Sequence, residues 1–294
     1  GIFTMSLLNL FHYGETGMLT YRGEKNYQRL EASCGVPYLF GVALFADAGF
    51  GLEIQQNDYG YLHGELQLTT DMLPNWQWGL ALTAHETTHY VDSSAVGSKF
   101  EGLDFVMSRR SRPYRAGETS TEAQFKLGSG LTQASAVQLT RWHIDLGAGK
   151  HVPFLARHAV VGRMFLGVLL TDARDTLQNV ELYRTGGYKS VRGYLDNQFA
   201  LTSVLYGQAE YHYYFNYSGS IYFFSDFGAC RLNKSSDPQT SSALQKMIGY
   251  GLGIQIPVKI GDAAIEWARN YRDTHNWGRI HISIRNAVAA GLPR

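Results

Sequence analysis

The sequence is poor in the residues that mark several common protein classes. It holds only two cysteines, Cys34 and Cys230, with no C-x-x-C spacing, which excludes a disulfide framework. Seven prolines among 294 residues leave long stretches unbroken. Neither sign of charge dominates: 26 Lys and Arg face 25 Asp and Glu, for a net charge of +1. With no basic run, this argues against a nucleic-acid partner. The longest apolar run, HAVVGRMFLGVLL at 158–170, is broken by Gly162 and Arg163 and falls short of the ~18 residues a membrane-spanning helix needs. No signal-peptide pattern opens the chain, which starts on Gly1 and so reads as a mature or cut chain.

What the sequence has instead is glycine and aromatic residues. Gly 32, Tyr 19, Phe 15 and Trp 5 put the aromatic share at 13% and lean toward an all-β protein. Period-2 alternation supplies the rest of that reading. Ile248, Tyr250, Leu252, Ile254, Ile256 and Val258 alternate with Met247, Gly249, Gly251, Gly253 and Gln255. Ile280, Ile282 and Ile284 alternate with His281, Ser283 and Arg285 in the same way. Each segment reads as a strand with one apolar and one polar or small face.

Fifteen such segments are marked, at 3–12, 17–24, 27–36, 41–54, 60–70, 76–89, 100–110, 119–131, 134–147, 152–168, 199–215, 219–230, 246–258, 262–270 and 278–286. Short turn-like connections (YGETG, PYLFG, MLPN, GAGKH, NYSG, KIGD) alternate with long ones at 90–99, 169–198 and 231–245. That asymmetry predicts one transmembrane antiparallel β-barrel over 1–294, in contact with outer-membrane lipids. Bacterial single-chain barrels carry even strand numbers, so fifteen implies sixteen with one strand missing before residue 1, or fourteen by miscount. Cys34 and Cys230 are expected to be unbonded, since they fall at opposite ends of strands that cross a core of ~30 Å.

HETTH at 85–89 is a literal match to the zinc-protease signature HExxH. The chemistry needs a helix, on which the two histidines become neighbours. Here Trp76, Trp78, Leu80 and Leu82 alternate with Gln77, Gly79, Ala81, Thr83, His85, Thr87 and His89, so the segment reads as a strand. His85 and His89 then share a face about 13 Å apart, too far for a common metal. No metal is expected.

The most specific stretch is ELYRTGGYKSVRGYLDNQFA at 181–200. It carries Val191, Arg192, Gly193 and Tyr194, preceded by Gly186 and Gly187. This resembles the VRG(F/Y) motif of the outer-membrane protein assembly and secretion barrels: BamA-type insertases, TamA-type translocation factors and two-partner secretion transporters. YGQAEYHYYF (206–215) and YFFSDFGAC (222–230) resemble the two strands that follow the motif, the second carrying F-x-D-x-G as Phe224, Asp226 and Gly228. NLFHYGE (9–15) and PYLFG (37–41) resemble early turns of the same family.

The resemblance implies that the loop 169–198 folds back into the lumen and that Arg192 meets acids on the inner wall, Asp226 and Glu210. The alternation places both acids independently. Asp226 shares a face with Tyr222, Phe224 and Gly228, and Glu210 shares one with Gln208 and His212. The resemblance implies a barrel that assists insertion or translocation of proteins at the bacterial outer membrane, with unfolded barrel clients and other assembly subunits as partners, no enzymatic step and no bound cofactor. The family usually carries periplasmic POTRA domains before the barrel; none reads out of 1–294, so a barrel-only or cut chain is expected. No glycine falls between Gly278 and Gly291 to kink the last strand, and the chain ends in a tail at 287–294. These departures keep two other readings open: an accessory or scaffold subunit, and a passive porin-like channel suited by the glycine face at 249–253.

Overall fold

The computed structural model describes residues 2–8, 12, 14–56, 58–73, 75–91, 94–109, 116–134, 137–171, 181–232, 244–258, 261–273 and 277–285. The early turn at 9–15 lies largely, and the tail at 287–294 wholly, outside the described residues. The regular elements among the described residues are all β-strands, apart from a 3-10 turn at Leu39–Gly41. The first strands are β1 (Ile2–Leu8), β2 (Thr16–Glu24), β3 (Tyr27–Val36), β4 (Leu44–Gln55), β5 (Tyr59–Leu73) and β6 (Trp76–Val91). They are followed by β7 (Ser94–Arg109), β8 (Ser120–Ala134), β9 (Val137–Leu155), β10 (His158–Thr171) and β11 (Tyr183–Thr185). The last are β12 (Phe199–Tyr214), β13 (Ser220–Leu232), β14 (Leu244–Val258), β15 (Gly261–Asn270) and β16 (Arg279–Arg285). No helix among the described residues is long and apolar enough to cross a membrane.

Hydrogen-bonded neighbours follow chain order from β1 to β10, then β12 to β16, with β11 paired to β12 beside that path. The fifteen strands of the path are those marked by alternation. The short β11 pairs with β12 off that path, inside the stretch 169–198 that the sequence reads as one long loop.

Two connections differ from expectation. GAGKH is not a turn, because β9 runs through it to Leu155 and the chain reverses at 156–157, where the Tyr214 N–H donates to the Arg157 carbonyl at 2.7 Å. Alternation simply continues there: Gly149 and His151 are buried while Ala148, Lys150 and Val152 are exposed. Glycine at 149 reflects crowding, since a Cβ would collide with the Glu122 side chain. The supposed long loop at 90–99 is mostly strand, with β6 reaching Val91 and β7 starting at Ser94. Buried Ser98 and Phe100 carry the period through it.

The chain divides into two compact units. In the first (Gly1–Met107, Lys126–His143, Leu170–Glu181), β5 and β6 pair with Leu66 opposite Leu82 and His63 opposite His85. Leu66, Trp78, Leu80 and Leu82 are exposed on one face, while Gln77, Ala81, His85 and Thr87 are buried on the other. Polar residues inside and apolar residues outside invert the soluble pattern and match a lipid-facing sheet.

The second unit (Ser108–Phe125, Ile144–Leu169, Leu182–Arg294) shows the same inversion. Tyr211, Ile221, Phe223, Phe227, Leu252 and Ile265 are exposed, and Gln208, Glu210, His212, Asp226 and Glu266 are buried. Its apolar core joins Val191, Tyr194, Leu201, Val204, Cys230 and Met247. Both cysteines are free thiols, Cys34 exposed and Cys230 buried.

Candidate functional site

Three adjacent strands prepare a cradle on the buried face of the second unit. Register sets Asp226 opposite Gly249 and Gly249 opposite Asn270. The next rows are Phe224–Gly251–Ala268 and Tyr222–Gly253–Glu266. Glycine recurs on β14 because a Cβ at each position would meet a neighbour. A Cβ at Gly249 would collide with the Arg192 carbonyl, one at Gly251 with the Trp267 carbonyl and with the Phe224 ring at 2.7 Å, and one at Gly253 with the Tyr222 ring. The glycine face that suited an open channel is therefore filled by the loop backbone and two rings.

The loop reaches this cradle through a tight reversal. Gly186 and Gly187 have φ of 109° and 89°, a region that costs residues with a Cβ free energy. The Gly187 N–H donates to the Val191 carbonyl at 3.1 Å, and the Gly186 N–H donates to Ser190 Oγ at 2.8 Å. Gln208 Nε2 donates to the Ser190 carbonyl at 2.9 Å, tying the reversal to β12. Val191 is fully buried, and Gly228 is bare beneath it: a Cβ there would sit 3.2 Å from Val191 Cγ2. Gly193, with φ of 90°, lets its carbonyl accept from Asn270 Nδ2 at 2.8 Å and Arg279 Nε at 3.2 Å. Tyr194 packs edge-on to Phe199, with ring centroids 5.5 Å apart.

Arg192 is the centre of the arrangement, with its side chain 1% exposed. Its main-chain N–H and its Nε both donate to Asp226 Oδ2, at 2.9 and 2.7 Å, and Nη2 donates to Oδ1 at 2.7 Å. Nη1 lies 2.9 Å from Glu210 Oε1 and 2.8 Å from Glu266 Oε1. The guanidinium carbon sits 3.6 Å from the Phe224 ring centre. This uses the planar fork fully: a bidentate pair, two further carboxylates at the remaining edge and an aromatic face below. Burial alone would make the charge harder to hold, but Glu210, Asp226 and Glu266 outweigh it and keep the guanidinium well above its usual pKa.

The surrounding groups are matched as well. The Tyr222 hydroxyl donates to Glu266 at 2.7 Å. Glu210 also meets Arg163 Nη1 at 3.3 Å and His212 Nε2 at 2.9 Å, and His212 Nδ1 bonds Ser220 Oγ at 3.0 Å. His212 stacks on Tyr222 with centroids 4.6 Å apart. Three carboxylates thus share one buried guanidinium, with Arg163 as a second cation on Glu210. The arrangement can hold a loop in place.

Arg192, Asp226, Glu210, Phe224 and Gly228 come together here. Glu266, Arg163 and Asn270 join them without having been singled out in the sequence, and Glu266 is the one that touches the Arg192 guanidinium. Its signal was present, because Ala264, Glu266, Ala268 and Asn270 alternate with Ile265, Trp267 and Arg269 on β15. His85 and His89 lie on strand β6, and the described residues contain no group of three placed to hold a metal.

The structure is similar to that of BamA from Haemophilus ducreyi lacking POTRA domains 1-3, with a TM-score of 0.70 at 12% identity, covering 96% of this chain and 65% of that one. The chain therefore spans less than two thirds of that protein's crystallised length, and at this identity the likeness shows the fold alone. CdiB from Acinetobacter baumannii is also similar, with a TM-score of 0.47 at 12% identity, covering 92% of this chain and 56% of that one. No curated protein matches the sequence. The family model for the Omp85 superfamily domain matches residues 117–284, which take in every strand of the Arg192 cradle. The chain belongs to the Omp85 superfamily.

Proposed function

We propose that this chain is an outer-membrane barrel that assists the insertion or translocation of other proteins, with unfolded barrel proteins as clients and outer-membrane lipids around it. The observation that carries the reading is the buried clasp of Arg192 on Asp226, Glu210 and Glu266. A four-charge site closed by a loop costs much desolvation and gives little net stability. It makes sense as a brace that fixes the loop in one position. Family membership and the apolar exposed faces of β13 to β15 support the membrane setting. Edge strands at a weak seam of the sheet would template a client strand by β-augmentation. The reading includes other subunits of an assembly complex as partners, and it assigns no cofactor and no enzymatic step.

Reconstitution into liposomes tests this. The purified chain is expected to speed the folding of an unfolded barrel client, scored by heat-modifiable migration on gels. Co-purification with partners and no acceleration would favour an accessory subunit instead. High conductance that is unchanged by Arg192→Ala would favour a passive pore, a reading weakened by the filled glycine face of β14.

A further inference from the structure

Shortly before the motif, Glu181 enters a second charged cluster, within the first unit. Its side chain is fully buried. Glu181 Oε1 lies 2.9 Å from His85 Nε2 on β6 and 3.5 Å from Arg141 Nη1 on β9. Arg141 Nη2 also donates to the Glu181 main-chain carbonyl at 3.0 Å. Arg141 therefore grips both the backbone and the carboxylate of one residue. Phe100 on β7 forms the floor: the His85 ring stacks on it with centroids 4.7 Å apart, and the Arg141 guanidinium carbon lies 4.9 Å from its centre. Tyr61 packs against His85 from β5 at 5.6 Å.

We infer that Glu181, held by Arg141 and His85, is a positioning residue for the loop that carries Arg192: a second clasp that anchors the chain eleven residues before the arginine. The two clasps have the same chemistry with the roles exchanged. At Arg192 the loop supplies the guanidinium and the strands supply the carboxylates; at Glu181 the loop supplies the carboxylate and a strand supplies the guanidinium. A surface ion pair would be worth little. This pair is buried, charge-assisted, and includes a hydrogen bond to the Glu181 main chain that does not depend on the Glu181 rotamer. His85 and Arg141 both pack on Phe100, which restricts their rotamers, so the clasp loses less side-chain freedom than a pair of solvated side chains would. This also gives the first histidine of HETTH a role that requires no metal.

The inference rests on the proposed role of the loop, and its test has two arms that separate the two claims. Limited proteolysis of the full chain in detergent reads the loop directly, without a client. Glu181→Gln and Arg141→Gln are each expected to raise cleavage within 181–198 by about tenfold, because protease access follows the open population. Heat-modifiable migration of the barrel should stay as in the parent. The double variant should be no more sensitive than the worse single one, and Arg141→Lys should recover part of the protection. Client folding in liposomes forms the second arm and should slow in parallel with loop cleavage. If one variant fails to fold, His85→Gln, which keeps a donor but weakens the pairing, is expected to give an intermediate rise. Unchanged cleavage in the folded single variants, or strictly additive effects in the double, would overturn the clasp. Increased cleavage with an inactive parent would leave the clasp standing and overturn the assembly role.

Discussion

Arg192 holds Asp226 with its backbone and its side chain at once: the main-chain N–H and Nε converge on Oδ2, while Nη2 takes Oδ1. This is more than an ion pair. The main-chain bond fixes the loop's path, so the carboxylate positions the motif as well as neutralising it. Arg192→Ala should therefore release the loop and leave Asp226, Glu210 and Glu266 as buried anions around an empty site. The expected cost is about 3–5 kcal/mol, read as a lower unfolding temperature and faster protease cleavage in the loop. Asp226→Ala should behave similarly, and the double variant should cost clearly less than the sum. Additive losses would mean that the two residues do not act as one unit.

Glu266 should matter less than Asp226, since it meets only Nη1 and the Tyr222 hydroxyl. Glu266→Gln keeps the shape and removes one of three negative charges. A loss of about 1–2 kcal/mol is expected, within the range for a charge-assisted hydrogen bond, measured by thermal unfolding in detergent. A loss equal to that of Asp226→Ala would mean that the ranking by contacts is wrong.

The cradle can be blocked without touching a charge. A Cβ at Gly249 would collide with the Arg192 carbonyl, so Gly249→Ala should push the loop off β14 at a cost of about 1–3 kcal/mol. Loop cleavage should rise although every ion-pairing side chain is present. Unchanged cleavage would show that the loop can be accommodated higher above the strand.

HETTH should bind no zinc. On β6 the paired imidazoles look across to separate partners: His85 to Glu181 and His89 to the Tyr59 ring, with centroids 5.8 Å apart. Dialysis against zinc followed by elemental analysis should find the same trace content in the parent and in His89→Ala. Stoichiometric zinc that disappears in His89→Ala would contradict the strand reading of the motif.

Much of this was legible because strand alternation is local. Asp226 and Glu210 can be set on the inward face from their neighbours alone, since successive side chains point to opposite sides. Glu266 obeys the same rule and was readable by it, but no motif drew attention to AAIEWARN. Turns were harder. GAGKH looks like a turn because of its two glycines, yet Gly149 exists to clear the Glu122 side chain on another strand, a contact invisible to local sequence. The same holds for β14, whose glycines suggested an open wall. Register with β13 and β15 reveals them as seats for Arg192, Phe224 and Tyr222. Short β11 escaped notice because three residues give too little alternation to read.

The central claim is that a clasped loop serves assembly of client proteins, and one measurement addresses it most directly. The initial folding rate of an unfolded barrel client is measured in liposomes containing the parent chain, Arg192→Ala, or no protein. The account predicts clear acceleration by the parent and a loss of about tenfold or more of that acceleration in Arg192→Ala, the equivalent of ~1.4 kcal/mol or more. Equal acceleration by the parent and by a folded Arg192→Ala would contradict it.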